Sequence, residues 1–285
     1  MKVIALINPE AGGVTADGAY RMQRALASMG LDDADVVEFD PIAGDVQLIE
    51  LAAQLPDLFI VWGGDGTHRS VLKIAGRESP NLVLLPGGTM NLLSKSLHGH
   101  QPWDAILRAV ITAPKPRTLP AGKLNEEPFF CAMLAGTPAR FAEARESLRH
   151  GNFGLAISEA RAALDTVANL HLVARYGDGY SFDDGPLPET SVIGALVGPL
   201  SHNGRMEVAC LSHPSLGSAL DAVWSSFHSG WRNLQGLTIV PAETLVVDNE
   251  DGDNIPVIVD GESIEVGTHL RVAYVEEAAR CLIAG

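Results

Sequence analysis

Three apolar runs with almost no polar interruption stand in the N-terminal part of the chain, Lys2 to Ile7, Leu58 to Trp62 and Asn81 to Leu85, and Ala34 to Phe39, which includes Asp35 and Glu38, reads as a further strand. Short continuous runs of this kind predict strands buried on both faces, as in a parallel sheet. Between and after them the apolar residues recur at helical spacing. Thr15 to Met29 offers Tyr20, Met22, Leu26 and Met29 for packing, with Gly30 as a stop. Asp45 to Leu55 predicts a second helix, and Val71, Leu72, Ile74 and Ala75 mark the buried face of a third. Leu92 to Leu97 and Trp103 to Ile111 predict two more. Strand and helix alternate four times, which argues for a doubly wound parallel sheet with helices on both faces.

The pattern changes at Pro114-Lys115-Pro116. A domain boundary is placed near 115–120, giving an α/β domain over 1–118 and a second domain over 119–285, whose last residues are free to return to the first. Short β-type runs dominate the second part: Phe129 to Leu134, His171 to Ala174, Ser191 to Val197, Met206 to Ala209, Leu237 to Val240, Leu245 to Asp248 and Ile255 to Asp260. Turn residues separate several of them, as in a sandwich of antiparallel sheets. Thr137 to Leu148, Leu155 to Leu170 and Ser215 to His228 read as helical insertions. The last carries Leu216, Leu220, Val223, Trp224 and Phe227 on one face, suited first to packing on its own sheet, and otherwise to touching lipid or covering a substrate cleft. The expected class is α/β plus all-β.

Three of the predicted N-terminal strands run into glycine turns. They are Asn8-Pro9-Glu10-Ala11-Gly12-Gly13, then Gly63-Gly64-Asp65-Gly66-Thr67, then Pro86-Gly87-Gly88-Thr89-Met90-Asn91. Glycines let backbone approach a ligand closely, and the free N–H groups of a following helix suit an anion such as phosphate. In a parallel sheet all three would lie at the carboxyl edge of the strands, where such folds bind ligands. One such turn is ordinary punctuation; three on one edge point to a phosphate-bearing ligand. A carboxylate at Asp65 would repel phosphate unless it holds a metal ion or accepts a proton.

With 285 residues, 46% hydrophobic and 19% charged, the chain can build a substantial core. Its net charge of −15 disfavours a general nucleic-acid role and resting attachment to an anionic membrane. The charge is uneven. Residues 60–125 hold 8 Lys/Arg against 3 Asp/Glu, whereas 241–265 hold 8 Asp/Glu and no Lys/Arg. Cys131, Cys210 and Cys281 are too scattered for a metal or disulfide motif. The N-terminus lacks a signal-type apolar stretch and no run approaches a membrane span, so a cytoplasmic protein is expected.

The assembled motifs resemble the diacylglycerol kinase catalytic family, which includes bacterial lipid kinases and sphingosine kinases and is related to NAD kinases. The resemblance rests on Asn8-Pro9 with Gly12-Gly13, on Gly63 to Thr67, on Pro86-Gly87-Gly88-Thr89 with Asn91, and on Asp260-Gly261-Glu262. It implies an ATP site lined by Asn8, Pro9, Gly12, Gly13, Gly63, Gly64, Asp65, Gly66, Thr67, Gly88, Thr89 and Asn91, with Asp40 a weaker match. It implies that Asp65 joins a catalytic magnesium network and that Asp260 or Glu262 removes the proton from the acceptor hydroxyl. The residue types suit phosphoryl transfer, which needs positioning and charge neutralisation, and a carboxylate within reach of the acceptor's proton. Read without the family, Asp260-Gly261 is a favoured hairpin turn.

The chain departs from the family at Arg69 and Ser70, where Asn and Glu are common, and at Leu92, where an acid is common. Asn203-Gly204 stands where bacterial members carry an Asp-Gly metal loop, so Asn203 is the weaker metal candidate. Arg69 is placed either on phosphate or at the solvent. The expected function is ATP- and magnesium-dependent transfer to a lipid hydroxyl, diacylglycerol-like or sphingoid-like, with transient membrane contact; a homodimer is left open. A kinase of a soluble acceptor such as NAD, and a non-catalytic nucleotide binder, are the alternatives. No Walker-type P-loop or protein-kinase motif set occurs, and His98 and His100 are read as surface or loop residues.

Overall fold

The computed structural model describes residues 1–76, 81–136, 172–178, 187, 190, 192–201, 204–211, 232 and 236–285. The expected helices at 137–148, 155–170 and 215–228, and Asn203, lie outside the described residues. Two compact units divide the chain: Met1–Ala121 with Glu276–Gly285, and Gly122–Val275.

The first unit is built on a four-stranded parallel sheet in the order β2-β1-β3-β4, formed by β1 (Val3–Ile7), β2 (Asp35–Glu38), β3 (Leu58–Gly63) and β4 (Leu82–Pro86). The helices are α1 (Gly18–Ala27), α2 (Gly44–Ala53), α3 (Asp65–Ala75), α4 (Leu92–His98) and α5 (Trp103–Thr112). Alternate strand residues Ala5, Ile7, Ile60, Trp62, Val83 and Leu85 pack with Met22 and Leu26 of α1 and Ile106, Leu107 and Val110 of α5. The opposite row, including Ile4, Leu6, Phe59, Val61 and Leu84, is equally buried. Right-handed crossovers put α2 and α3 on that face, because the chain reverses direction across the sheet after β2. This is the doubly wound arrangement expected from the uninterrupted apolar runs. Its switch point lies between β1 and β3.

The chain leaves the first unit within β5 (Pro114–Leu124) and returns within β15 (His269–Ala284). Neither was expected from sequence as a long strand, and Pro114-Lys115-Pro116 lies inside β5 rather than in a linker. The last residues join the first unit through Arg280 N–H to Gly76 O (3.0 Å) and Gly285 N–H to Ala113 O (2.8 Å).

The second unit has two antiparallel sheets. One has the order β11-β10-β9-β7-β13-β14, from β11 (Leu237–Ala242), β10 (Met206–Leu211), β9 (Val192–Leu196), β7 (Ala132–Gly136), β13 (Pro256–Val259) and β14 (Glu262–Glu265). The other has the order β6-β5-β15-β12-β8, with β6 (Glu127–Phe129), β12 (Thr244–Asn249) and β8 (Leu172–Gly177). Inward residues of both form one core, among them Met133, Ile193, Val208, Val257 and Val259 from the first sheet and Phe129, Leu172, Leu245, Val247 and Val272 from the second. That shared core makes the pair a β-sandwich.

Candidate active site

The three glycine turns of the first unit meet. Asn8, one residue past β1, donates from Nδ2 to Thr67 Oγ1 at 2.8 Å, and its own N–H reaches Trp62 O at 2.9 Å. These bonds bridge β1 and β3 at the switch point, the position where open α/β sheets take ligands. Gly13 N–H bonds to Gly87 O (2.7 Å) and Gly87 N–H to Gly63 O (2.8 Å), tying the first turn to the third and the third to the second. The approach is too close for side chains. A Cβ on Gly88 would lie 2.7 Å from Gly64 Cα, and one on Gly13 2.9 Å from Gly87 O. Gly12 faces Thr89, whose Oγ1 would be 3.4 Å from a Cβ there.

Helix α3 begins inside the second turn. Gly64 is its N-cap and no side chain caps it. The first-turn N–H groups of Asp65, Gly66 and Thr67 have no partner within the helix, and the aligned peptide dipoles favour an anion there.

Asp65 does not point its carboxylate into this space unaccompanied. Oδ2 accepts from Leu92 N–H at 3.0 Å and Oδ1 from Leu93 N–H at 3.1 Å. The acid thus caps α4, the helix that follows the third turn. This answers the departure at Leu92: the backbone of that residue, not its side chain, is what Asp65 uses. Asn91 closes the same turn. It sits in the left-handed region at φ 53°, where asparagine is tolerated, and exchanges two bonds with Gly88: Gly88 N–H to Oδ1 (2.7 Å) and Nδ2 to Gly88 O (2.6 Å). Asn91 therefore shapes the turn through its own side chain.

Asp40 is exposed beyond β2, and its Oδ1 closes on Ile42 N–H at 2.8 Å. Pro9 and Thr89 are exposed on the first and third turns. Arg69 is buried on α3, which removes the solvent-cap reading. Two residues that the sequence offered no reason to single out, Trp62 and His68, flank the second turn and are fully buried.

His98, expected at the surface or in a loop, ends α4 with Nε2 buried without a partner among the described residues, and burial pushes its pKa down to about 4. His100 is exposed.

The described residues do not build a magnesium cage. No group of three or more His, Cys, Asp or Glu side chains converges among them, and Asp65 already serves two N–H donors. Magnesium favours near-octahedral oxygen ligation and usually keeps several waters, so an ion here would complete its shell with water and with oxygens brought by the ligand.

In the second unit, Asp260 and Gly261 form the two-residue loop between β13 and β14, with Val259 opposite Glu262. Both have positive φ, 49° and 94°, as a type I′ hairpin requires. The Asp260 carboxylate accepts three backbone bonds: from Phe130 (2.7 Å), Cys131 (2.9 Å) and Ala132 (2.9 Å). This is why the apolar run Phe129 to Leu134 is not one strand. It breaks between β6 and β7, where the N–H groups turn to a side chain. Glu262 is exposed at the start of β14.

Residues 2–124 match the family of the diacylglycerol kinase catalytic domain. They belong to that family. It is a family of ATP-using lipid kinases, and the matched span holds all three glycine turns. Three solved proteins from Bacillus anthracis share the fold of the whole chain. One is described as a diacylglycerol kinase, with 15% identity and a TM-score of 0.66, covering 99% of this chain and 96% of that one. Two are described as candidate diacylglycerol kinases, at 18% identity with TM-score 0.69 and at 19% with TM-score 0.66. They cover 99% and 98% of this chain and 96% of their own. No helix among the described residues is long and apolar enough to cross a membrane.

Proposed function

We propose that the protein transfers the γ-phosphoryl group of ATP to a lipid hydroxyl, with diacylglycerol as the acceptor to test first. The observation that carries this reading is the meeting of three glycine turns at the switch point, above the uncapped N-terminus of α3. Backbone N–H groups and a helix dipole stabilise a triphosphate and the charge that develops on its equatorial oxygens. In the proposed step the acceptor oxygen bonds to the γ-phosphorus, the bond to the β,γ-bridging oxygen breaks, ADP leaves and a carboxylate takes the hydroxyl proton.

Of the two acids named from sequence, we assign the proton to Glu262. Asp260 has about four acceptor sites, and three are occupied by backbone N–H groups. It is a positioning residue that fixes the turn from which Glu262 emerges. Asp65 is likewise assigned to positioning, since it fixes α4 behind the third turn.

The test is purified protein with labelled ATP and diacylglycerol in mixed micelles, read as labelled phosphatidic acid. If a panel of lipid alcohols yields no product while calorimetry shows ATP binding, the lipid acceptor is wrong. NADP formed in a coupled assay would reassign the acceptor to a soluble dinucleotide.

A further inference from the structure

The third turn poses a mechanical problem. Gly87 and Gly88 have no side chains with which to hold a position, yet they must stay registered against Gly63 and Gly64 within a few tenths of an ångström. The bonds that hold them must therefore reach their backbone or that of the strand end before them. Asn91 supplies two from within the turn itself; from outside it two further side chains reach the strand end, and they stand on either side of the second turn in the sequence.

Trp62 is the residue before Gly63 and is 0% exposed. Its Nε1 donates to Pro86 O at 3.0 Å. The ring is wedged: it stacks on Trp103 with centroids 4.2 Å apart and lies against Gly18, where a Cβ would be 3.5 Å from Cζ3. The Arg21 guanidinium lies over both rings, 6.0 and 5.6 Å from their centroids. His68 follows Thr67 in the first turns of α3 and is also 0% exposed. Its Nε2 lies 3.1 Å from Leu85 O. A carbonyl only accepts, so Nε2 carries the proton in this bond, and Nδ1 is then a lone pair, buried and without a hydrogen-bond partner among the described residues. Burial holds this ring neutral, lowering its pKa against the opposing pull of the Asp65 carboxylate. A leucine would fill the space without an orphaned nitrogen, whose desolvation is costly. What the imidazole offers that leucine cannot is the bond to Leu85.

We infer that Trp62 and His68 are positioning residues of the nucleotide site: from opposite faces of the sheet they hold the last two carbonyls of β4, and so fix the Gly87–Asn91 segment against the Gly63–Thr67 turn. As far as it concerns nucleotide, this rests on the kinase reading above. The bracket is independent of whichever acceptor is used.

The experiment compares wild type, His68→Leu, His68→Gln and Trp62→Phe by amide hydrogen exchange over residues 87–93 and by calorimetric titration with a non-hydrolysable ATP analogue. Gln can present its amide near the place of Nε2, and Phe keeps a ring but loses the donor. One lost hydrogen bond corresponds to roughly a tenfold change. His68→Leu and Trp62→Phe are expected to speed exchange at 87–93 and weaken nucleotide binding by about that factor, with exchange in Gly122–Val275 unchanged. His68→Gln is expected to stay within about threefold of wild type in both. Unchanged exchange at 87–93 in both donor-less variants overturns the inference, as does a Gln variant indistinguishable from Leu. Should Trp62→Phe not fold, the two His68 variants decide. A wild-type protein that binds no nucleotide defeats the kinase reading alone, and the exchange data still decide the bracket.

Discussion

At Asp260 a left-handed backbone and three N–H donors converge on one carboxylate. Asp260→Asn keeps the shape but loses charge and one acceptor oxygen. It should destabilise by about 1–3 kcal/mol, because N–H groups at 130–132 lose their partner, and urea melts will read this. Glu262→Gln, at an exposed position, should leave the melt within about 0.5 kcal/mol of wild type while turnover falls at least about a hundredfold. The opposite ranking would exchange the two roles. Gly88→Ala tests the cradle itself. Its Cβ would meet Gly64 Cα at 2.7 Å, backbone against backbone, so the turns must part. A stability loss of about 1–3 kcal/mol and loss of measurable ATP binding by calorimetry are expected.

Among the helices, α4 takes its N-terminal cap from a distant residue, Asp65. Asp65→Ala removes the acceptor of Leu92 and Leu93 N–H and should cost about 1–2 kcal/mol, like other helix-cap losses; circular dichroism melts and ATP titrations together check it. The far end of α4 carries His98, whose pKa is about 4 when folded. A histidine with a depressed pKa binds its proton more readily when unfolded, so stability is fully present above about pH 6.5 and is lost as pH falls toward 4. Urea melts between pH 7.5 and 4.5 should show this loss, to which His68, also lowered by burial, adds, and His98→Gln should reduce its slope. A profile identical in the two proteins would exclude His98 as its source.

Legibility also differed element by element. β1, β3, β4 and α1 to α5 were readable because strands buried on both faces leave continuous apolar runs, and helices facing one core leave a stripe; β2, an edge strand with exposed Asp35 and Glu38 at its ends, was readable only from its short apolar centre. β5 was not, because Pro114 to Thr118 is exposed and only its second half is buried. The final strand, β15, contains Glu276-Glu277-Ala278-Ala279-Arg280, a composition that suits a helix better than a strand. The three glycine turns could be read as a phosphate cradle, since glycine's reason is local. The jobs of Asp65, Trp62, His68 and Asp260 could not. Each bonds a backbone group far away in the chain, and backbone groups leave no mark in a sequence.

At the level of the whole molecule, the family match ends at residue 124, but the compact unit does not end there. Glu276–Gly285 belongs to the first unit. Leu282 lies in its core, Cys281 is buried, and Arg280 and Gly285 bond to Gly76 and Ala113. A protein cut after Val275 should therefore show a lower melting temperature and weaker ATP binding than the full chain, while the core shared by the two antiparallel sheets persists in hydrogen exchange. Equal ATP affinity in the two would mean that the returning strand is dispensable to the cradle.

That return has a temporal meaning. A polypeptide emerging from the ribosome offers the glycine cradle first and residues 276–285 of the same unit more than 150 residues later. The nascent first unit must wait, unfinished, through the synthesis of everything between. A prematurely terminated chain would carry every signature motif and still lack the stretch that seals them. On this reading the first unit gains its full stability only once residues 276–285 have been made.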